Sequence, residues 1–195
     1  EVAADIMNEE QLAALAAMRP GLVQLEIGIQ TTNDKTLHEI NRYADTRHIA
    51  GVVARLREPG NIHIHLDLIA GLPYEDYESF GNSFDFVYSL RPDMLQLGFL
   101  KVLHGTAIRE NADVTAVDFP PYEVVATRWI SAAELCRLKE VEEAVELFYN
   151  SGVFVQTMER LACARPFRMF EALGRLVYDA SKTGNSYDVN DSVAA

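Results

Sequence analysis

The chain has 195 residues and is 49% hydrophobic, so it can bury a core as one domain or as one domain with an appendage. Its formal net charge of −12 disfavours nucleic acid and anionic membranes as partners, because phosphate groups are bound by clustered Lys and Arg. The two cysteines, Cys136 and Cys163, exclude a disulfide framework and predict a reducing, cytoplasmic setting, and no apolar run is long enough for a membrane span.

The first half of the sequence predicts helices that alternate with strands. Asn8 followed by Gln11 is typical of a capping box at the start of a first helix, and Asn33 is a suitable cap for a later one. Strict alternation of apolar and polar residues indicates strands. We expect strands at residues 22–30, 61–71 and 94–102, and helices at 9–18, 33–40, 46–56 and 74–90.

The second half predicts helices. Ser131 and Glu134 form a second capping-box pattern before a long helix that Gly152 ends, and two further helices are expected at 154–163 and 167–180. The charged residues of the long helix predict a solvated face: Lys139, Glu140, Glu142 and Glu143. The last dozen residues are expected to fray. We place a domain boundary between residues 1–121 and 122–195.

Two of the predicted strands have one apolar face and one unusually polar face. Gln24, Glu26 and Gln30 share a face of the first strand, and the second strand carries His63, His65 and Asp67. Parallel strands covered by helices on both faces are nearly continuous apolar runs, so these strands indicate a barrel with a polar interior. We expect an α/β fold with a partial TIM-type (β/α) barrel of about three βα units, followed by an α-helical domain.

A closed barrel of eight units needs about 250 residues, so the predicted sheet is incomplete. Its open edge is expected to pair with a preceding part of the protein or with a second copy of the chain. In such barrels ligands bind at the carboxyl ends of the strands. Gln30 and residues 67–71 therefore lie where a ligand site is expected.

Two other functions compete with this interpretation. His63, His65 and Asp67 could begin the metal site of a hydrolase, but such a site needs ligands on later strands, and the third strand offers only Gln96 and Lys101 nearby. Histidines hydrogen-bonded inside a polar barrel are the favoured alternative. A non-catalytic binding or oligomerisation module is the third class. Glu26 alone is weak evidence for a general base.

Four segments together resemble the C-terminal half of a radical S-adenosylmethionine barrel: residues 25–33, 40–42, 66–73 and 103–106. Their order and spacing are similar to those of the oxygen-independent coproporphyrinogen oxidase branch. They are closer still to the group with an N-terminal cobalamin-binding domain, which is often labelled magnesium-protoporphyrin IX monomethyl ester oxidative cyclase. Residues 138–152 resemble the helical domain of unknown function that follows the barrel in one subgroup.

The resemblance implies a set of residues that bind S-adenosylmethionine. Gln30 and Asp67 would hold ribose hydroxyls, and Arg42 would hold the carboxylate. The remaining members of the implied site are Ile69 and Phe99 beside the adenine, Gly71 at the turn that admits the nucleoside, and Glu1 at the end of the preceding strand. The implied parent is an oxidoreductase or transferase that acts on a small-molecule substrate.

One departure from the family limits what this chain could do. Radical S-adenosylmethionine enzymes hold a 4Fe-4S cluster with a Cys-x-x-x-Cys-x-x-Cys loop, and this chain has no such loop. The cluster, and cobalamin if it is used, would belong to the full-length parent. We expect this chain to be a fragment that is inactive alone.

Overall fold

A computed structural model describes residues 1–43, 45–161 and 165–182. Three parallel strands form its central sheet in the order β1-β2-β3. They are β1 (Val23–Gln30), β2 (Ile62–Ala70) and β3 (Met94–Phe99). The prediction of an α/β fold with a parallel sheet is confirmed. The described strands form an open sheet, so a barrel remains a prediction.

The first half supplies four helices: α1 (Glu9–Ala16), α2 (Asp34–Glu39), α3 (Thr46–Arg57) and α4 (Tyr77–Ser89). A short 3-10 helix, Ala4–Ile6, precedes them. The predicted caps are confirmed. Asn8 and Gln11 form a complete capping box, and the Asn33 side chain accepts hydrogen bonds from the backbone N–H groups of Lys35 and Thr36.

The core lies on the apolar face of the sheet. Ile64, Leu66 and Leu68 of β2 are fully buried, and they share one hydrophobic cluster with Val53 of α3 and Phe84 of α4. Burial of this face is the main driving force for docking the helices on the sheet. The alternate residues face the opposite side, so the polar face predicted from the sequence is present.

The C-terminal region is helical, as predicted, but it begins with a pair of strands that the sequence did not predict. Antiparallel strands β4 (Val114–Ala116) and β5 (Val124–Thr127) lie on opposite sides of the predicted boundary at 121/122. The helical elements are a 3-10 helix (Ala107–Glu110), α5 (Ala132–Val145), a π-helical turn (Glu146–Asn150), α6 (Val155–Arg160) and α7 (Pro166–Lys182). The predicted helix end at 163 and the predicted frayed terminus lie outside the described residues.

Helix α7 packs closely against α4 and α5 because two glycines remove side chains at the contacts. A Cβ on Gly81 would lie 2.6 Å from a ring carbon of Phe167, and one on Gly174 would lie 2.3 Å from the carbonyl oxygen of Glu140. Arg165 and Arg168 both pair with Glu78 at the same contact. The helical region is therefore docked on the sheet domain through buried and charged contacts.

The helical region also covers the outer edge of β3. The Asn150 side chain accepts a hydrogen bond from Leu95 N and donates one to Leu95 O, both at 3.0 Å. At the other edge of the sheet, Val2 bridges Ile27 in parallel, and its N–H donates to Glu26 O at 2.9 Å. The β3 edge is therefore occupied at Leu95, and pairing of copies through an open edge remains a prediction.

None of the helices in the described part of the chain has the length and apolar character needed to cross a membrane.

Candidate functional site

A cavity of about 570 Å³ opens at the carboxyl ends of β2 and β3. In the strand register Asp67 lies beside Gln96, and Ile69 lies beside Gly98. The polar side chains that line the cavity are Gln30, Asp67, Gln96, Lys101, Glu123 and Glu142. The cavity occupies the position where parallel α/β sheets bind ligands.

Gln30 is held in an unusual conformation at the end of β1. Its φ of 68° lies in the left-handed region, and the β1–β2 register shifts between Gly28 and Gln30. The Gln30 amide lies across Gly28, where a Cβ would be 2.3 Å from Gln30 Nε2. Such strain in a residue other than glycine is typical of functional sites, because the surrounding structure must maintain it.

Arg42 lies beside the same glycine. Its Nη1 would be 3.5 Å from a Cβ on Gly28, and its backbone N–H donates to Leu37 O at 2.8 Å, just after α2. The Arg42 side chain makes no ion pair within the residues that the structure describes. The open position at Gly28 therefore brings together the Gln30 amide and a guanidinium that has no ion pair within the described residues.

Asp67 is partly buried on the polar face of β2. Burial, followed by the charges of Glu26 and Glu1, raises the pKa of its carboxyl to about 6. Its Oδ1 and the Oε1 of Gln30 are both buried and have no hydrogen-bond partner in the described chain. Buried acceptors without donors cost free energy, so both atoms are suited to a ligand that brings hydroxyl or N–H groups.

Of the other residues implied by the resemblance, two line the cavity and one lies on the surface. Ile69 and Phe99 line the cavity, although Phe99 pairs with Ala70 in the register and its ring centroid lies 4.6 Å from Lys139 Nζ. Glu1 is exposed, and its charge is one of those that raise the pKa of Asp67.

Gly71 lies in a buried turn after β2, and a Cβ there would lie 2.7 Å from Cγ1 of Val124. Its φ of 86° also favours glycine. The missing side chain therefore makes room for β5, and a contact between Gly71 and a nucleoside remains a prediction.

The histidine strand has no metal-binding geometry. The rings of His63 and His65 meet edge to face with centroids 4.9 Å apart, and burial, followed by His63, lowers the pKa of the buried His65. No group of three or more His, Cys, Asp or Glu side chains in the described ranges is arranged to hold a metal ion. The hydrolase alternative, with His63, His65 and Asp67 as ligands, therefore gains no support.

The contribution of the C-terminal region to the cavity was not predicted from the sequence. Glu142 was expected on a solvated face, but it is partly buried and lines the cavity together with Glu123. Lys139, from the same predicted face, pairs with Glu123. No local pattern could have revealed this arrangement, because it depends on how α5 packs beside β3.

A second missed residue, Glu75, lies in a buried network between the ends of β1 and β2. Thr31 Oγ1 donates a hydrogen bond to Glu75 Oε1 at 2.5 Å, and Ser83 of α4 joins the same network. Glu75 is only 1% exposed, and this burial raises the pKa of its carboxyl to about 8. The network connects the segments that follow Gln30 and Gly71. It therefore helps to hold the ends of β1 and β2 in position beside the cavity.

Two comparisons with known proteins match this chain, one to its C-terminal part and one to most of its fold. Residues 113–191 match a family described as a protein of unknown function, DUF4080. The coproporphyrinogen III oxidase of Escherichia coli, a radical S-adenosylmethionine enzyme, shares the fold, with a TM-score of 0.54 and 22% identity over 77% of this chain and 31% of that one.

Curated relatives match about half of the chain. The anaerobic coproporphyrinogen III oxidase 1 of Cereibacter sphaeroides is 32% identical over 92 residues, which are 47% of this chain and 20% of the relative. The oxygen-independent coproporphyrinogen III oxidase of Escherichia coli is 34% identical over 91 residues, 46% of this chain and 20% of the relative. The match thus spans about a fifth of each relative. Over about half of its length, the chain is therefore homologous to oxygen-independent coproporphyrinogen oxidases of the radical S-adenosylmethionine type.

Proposed function

We propose that this chain carries part of the S-adenosylmethionine site of a radical S-adenosylmethionine enzyme. Gln30 and Asp67 accept hydrogen bonds from the ribose hydroxyls, and Arg42 binds the carboxylate of the methionine part. The observation that supports this most strongly is a pair of buried acceptors on neighbouring strands, Gln30 Oε1 and Asp67 Oδ1, which have no hydrogen-bond partner among the described residues.

The chemistry of these groups fits the proposed ligand. A ribose offers two adjacent hydroxyl donors, and a carboxylate acceptor can bind both. The planar guanidinium of Arg42 suits a carboxylate, and in the described chain it has no competing ion pair. The cavity of about 570 Å³ also has the size of a small-molecule site.

The 4Fe-4S cluster of such enzymes does not fit this chain. Three cysteine thiolates hold the cluster, and the chain has only Cys136, which is exposed on α5, and Cys163, which lies outside the described residues. We therefore assign the chain a role in binding and orienting S-adenosylmethionine. Oxidoreductase or transferase activity, a small-molecule substrate, cobalamin use and tetrapyrrole ring closure belong to the proposal for the whole protein.

Replacing Asp67 with Asn tests the proposal. Asn keeps the size of the side chain but removes the charge that strengthens hydrogen bonds from hydroxyls, so binding of S-adenosylhomocysteine should weaken by about 10-fold to 100-fold. Isothermal titration calorimetry on the 195-residue chain at about pH 7.5, above the pKa of Asp67, measures the affinity. Native binding should also weaken as the pH falls below about 6, because protonation removes the same charge.

The matched control is Asp118→Asn, at an exposed position outside the cavity lining. It should bind as tightly as the native chain. Absence of saturable binding by the native chain, or equal affinity of the Asp67→Asn and native chains, would contradict the proposal.

A further inference from the structure

Glu142 lines the same cavity from the opposite side, on α5 beyond β3. It is partly buried, and its carboxylate makes no hydrogen bond or ion pair with any residue in the described part of the chain. Burial raises the pKa of this carboxyl. A carboxylate that is withdrawn from water without a partner costs free energy, which a donor on a ligand could offset.

Lys139, whose charge acts on Glu142, does not provide that partner. Lys139 precedes Glu142 by one turn of α5, but its ammonium group pairs with Glu123 and lies over the ring of Phe99. The ammonium group of Lys139 is therefore held between Glu123 and the Phe99 ring of β3. Glu142 remains available on the wall of the cavity.

The order of groups across the sheet indicates which part of a ligand Glu142 would meet. Arg42 lies beside Gly28 of β1, Gln30 ends β1, and Asp67 lies on β2. A ligand with its carboxylate at Arg42 and its ribose at Gln30 and Asp67 must extend its base toward β3 and α5. Ile69 and Phe99 line that part of the cavity with apolar surface.

We infer that Glu142 recognises the base of the nucleoside by accepting a hydrogen bond from the exocyclic amine of adenine. The inference rests on the proposed function, and it gives the C-terminal helical region a direct role in the site. Ile69 and Phe99 supply apolar contact for any purine ring. Glu142 adds the polar contact that distinguishes adenine from a base without the amine.

The experiment compares two ligands that differ only in this amine: S-adenosylhomocysteine and its analogue with unsubstituted purine in place of adenine. Calorimetry on the native chain should show about tenfold tighter binding of the adenine ligand, which is typical of one hydrogen bond to a charged acceptor. Glu142→Leu should reduce this preference to about one. Glu142→Gln should keep only part of it, because the neutral amide oxygen still accepts a hydrogen bond but a weaker one than a carboxylate.

The control is Glu143→Leu, at the neighbouring exposed position on α5, which should keep the native preference. If Glu142→Leu also keeps the native preference while Asp67→Asn weakens both ligands, the role of Glu142 is refuted and the proposed function stands. If the native chain binds neither ligand, both are refuted.

Discussion

The free energy of unfolding of this chain is expected to fall as the pH rises from about 4.5 to about 8, because Glu75 must lose a proton inside the fold. The side chain is 1% exposed, and its Oε2 is buried without a partner in the described chain. A neutral carboxyl tolerates this environment better than a carboxylate, although Thr31 and Ser83 donate hydrogen bonds that partly offset the cost.

The direction of this change in the free energy of unfolding follows from the difference between the pKa values of Glu75 in the folded and unfolded states. The folded state holds the proton more tightly, so its stabilising contribution is complete below about 4.5 and is lost as the pH approaches about 8. The slope in this window should reach about 1.4 kcal/mol per pH unit. Urea unfolding at several pH values measures it.

Glu75→Gln should remove the part of this dependence that lies between about pH 6 and about pH 8, since Gln has a similar shape and stays neutral at every pH. Below about pH 6 a dependence remains, because the raised pKa of Asp67 acts in the same direction. Glu10→Gln, at an exposed position on α1, should keep the native slope and serves as the control. A native free energy of unfolding that does not change between about pH 5 and about pH 8 would contradict the account, and so would a Glu75→Gln slope equal to the native one.

Phe167→Ala should lower the free energy of unfolding by about 3 to 5 kcal/mol. Phe167 is fully buried where α7 meets α4, and its ring centroid lies 5.4 Å from that of Tyr77 and 5.6 Å from that of Phe84. Truncation leaves a cavity beside Gly81, which has no side chain to fill it. Denaturant unfolding at constant pH measures the loss.

Phe119→Ala provides the matched control. Phe119 is 65% exposed, so the same truncation should change the free energy of unfolding by about 0.5 kcal/mol or less. Equal losses in the two variants would show that the helical region is not docked through Phe167.

The central strands could be predicted from the sequence because apolar and polar residues alternate along them with a period of two. Ile64, Leu66 and Leu68 alternate with His65 and Asp67, so the alternation gave both the strand and the face that carries polar groups. The helix starts at Asn8, Asn33 and Ser131 were predictable for a similar reason, since a cap acts within three residues.

The remaining features depend on contacts between distant segments. Gly71 has the local pattern of an open turn, and only the packing of Val124 shows that its space is filled. Glu142 has the local pattern of a solvated helix, and only the position of α5 brings it to the cavity. Strands of three and four residues, such as β4 and β5, are too short for alternation to identify them.

The central claim is that a nucleoside binds where β1 and β2 end. A crystal structure of the 195-residue chain grown with saturating S-adenosylhomocysteine tests it most directly. Density for the ribose is expected within hydrogen-bond distance of Asp67 Oδ1 and Gln30 Oε1, with the ligand carboxylate at Arg42. Density for the ligand elsewhere, for example in the groove beside Asp34, His38 and Tyr74, would contradict the account, as would the absence of ligand density.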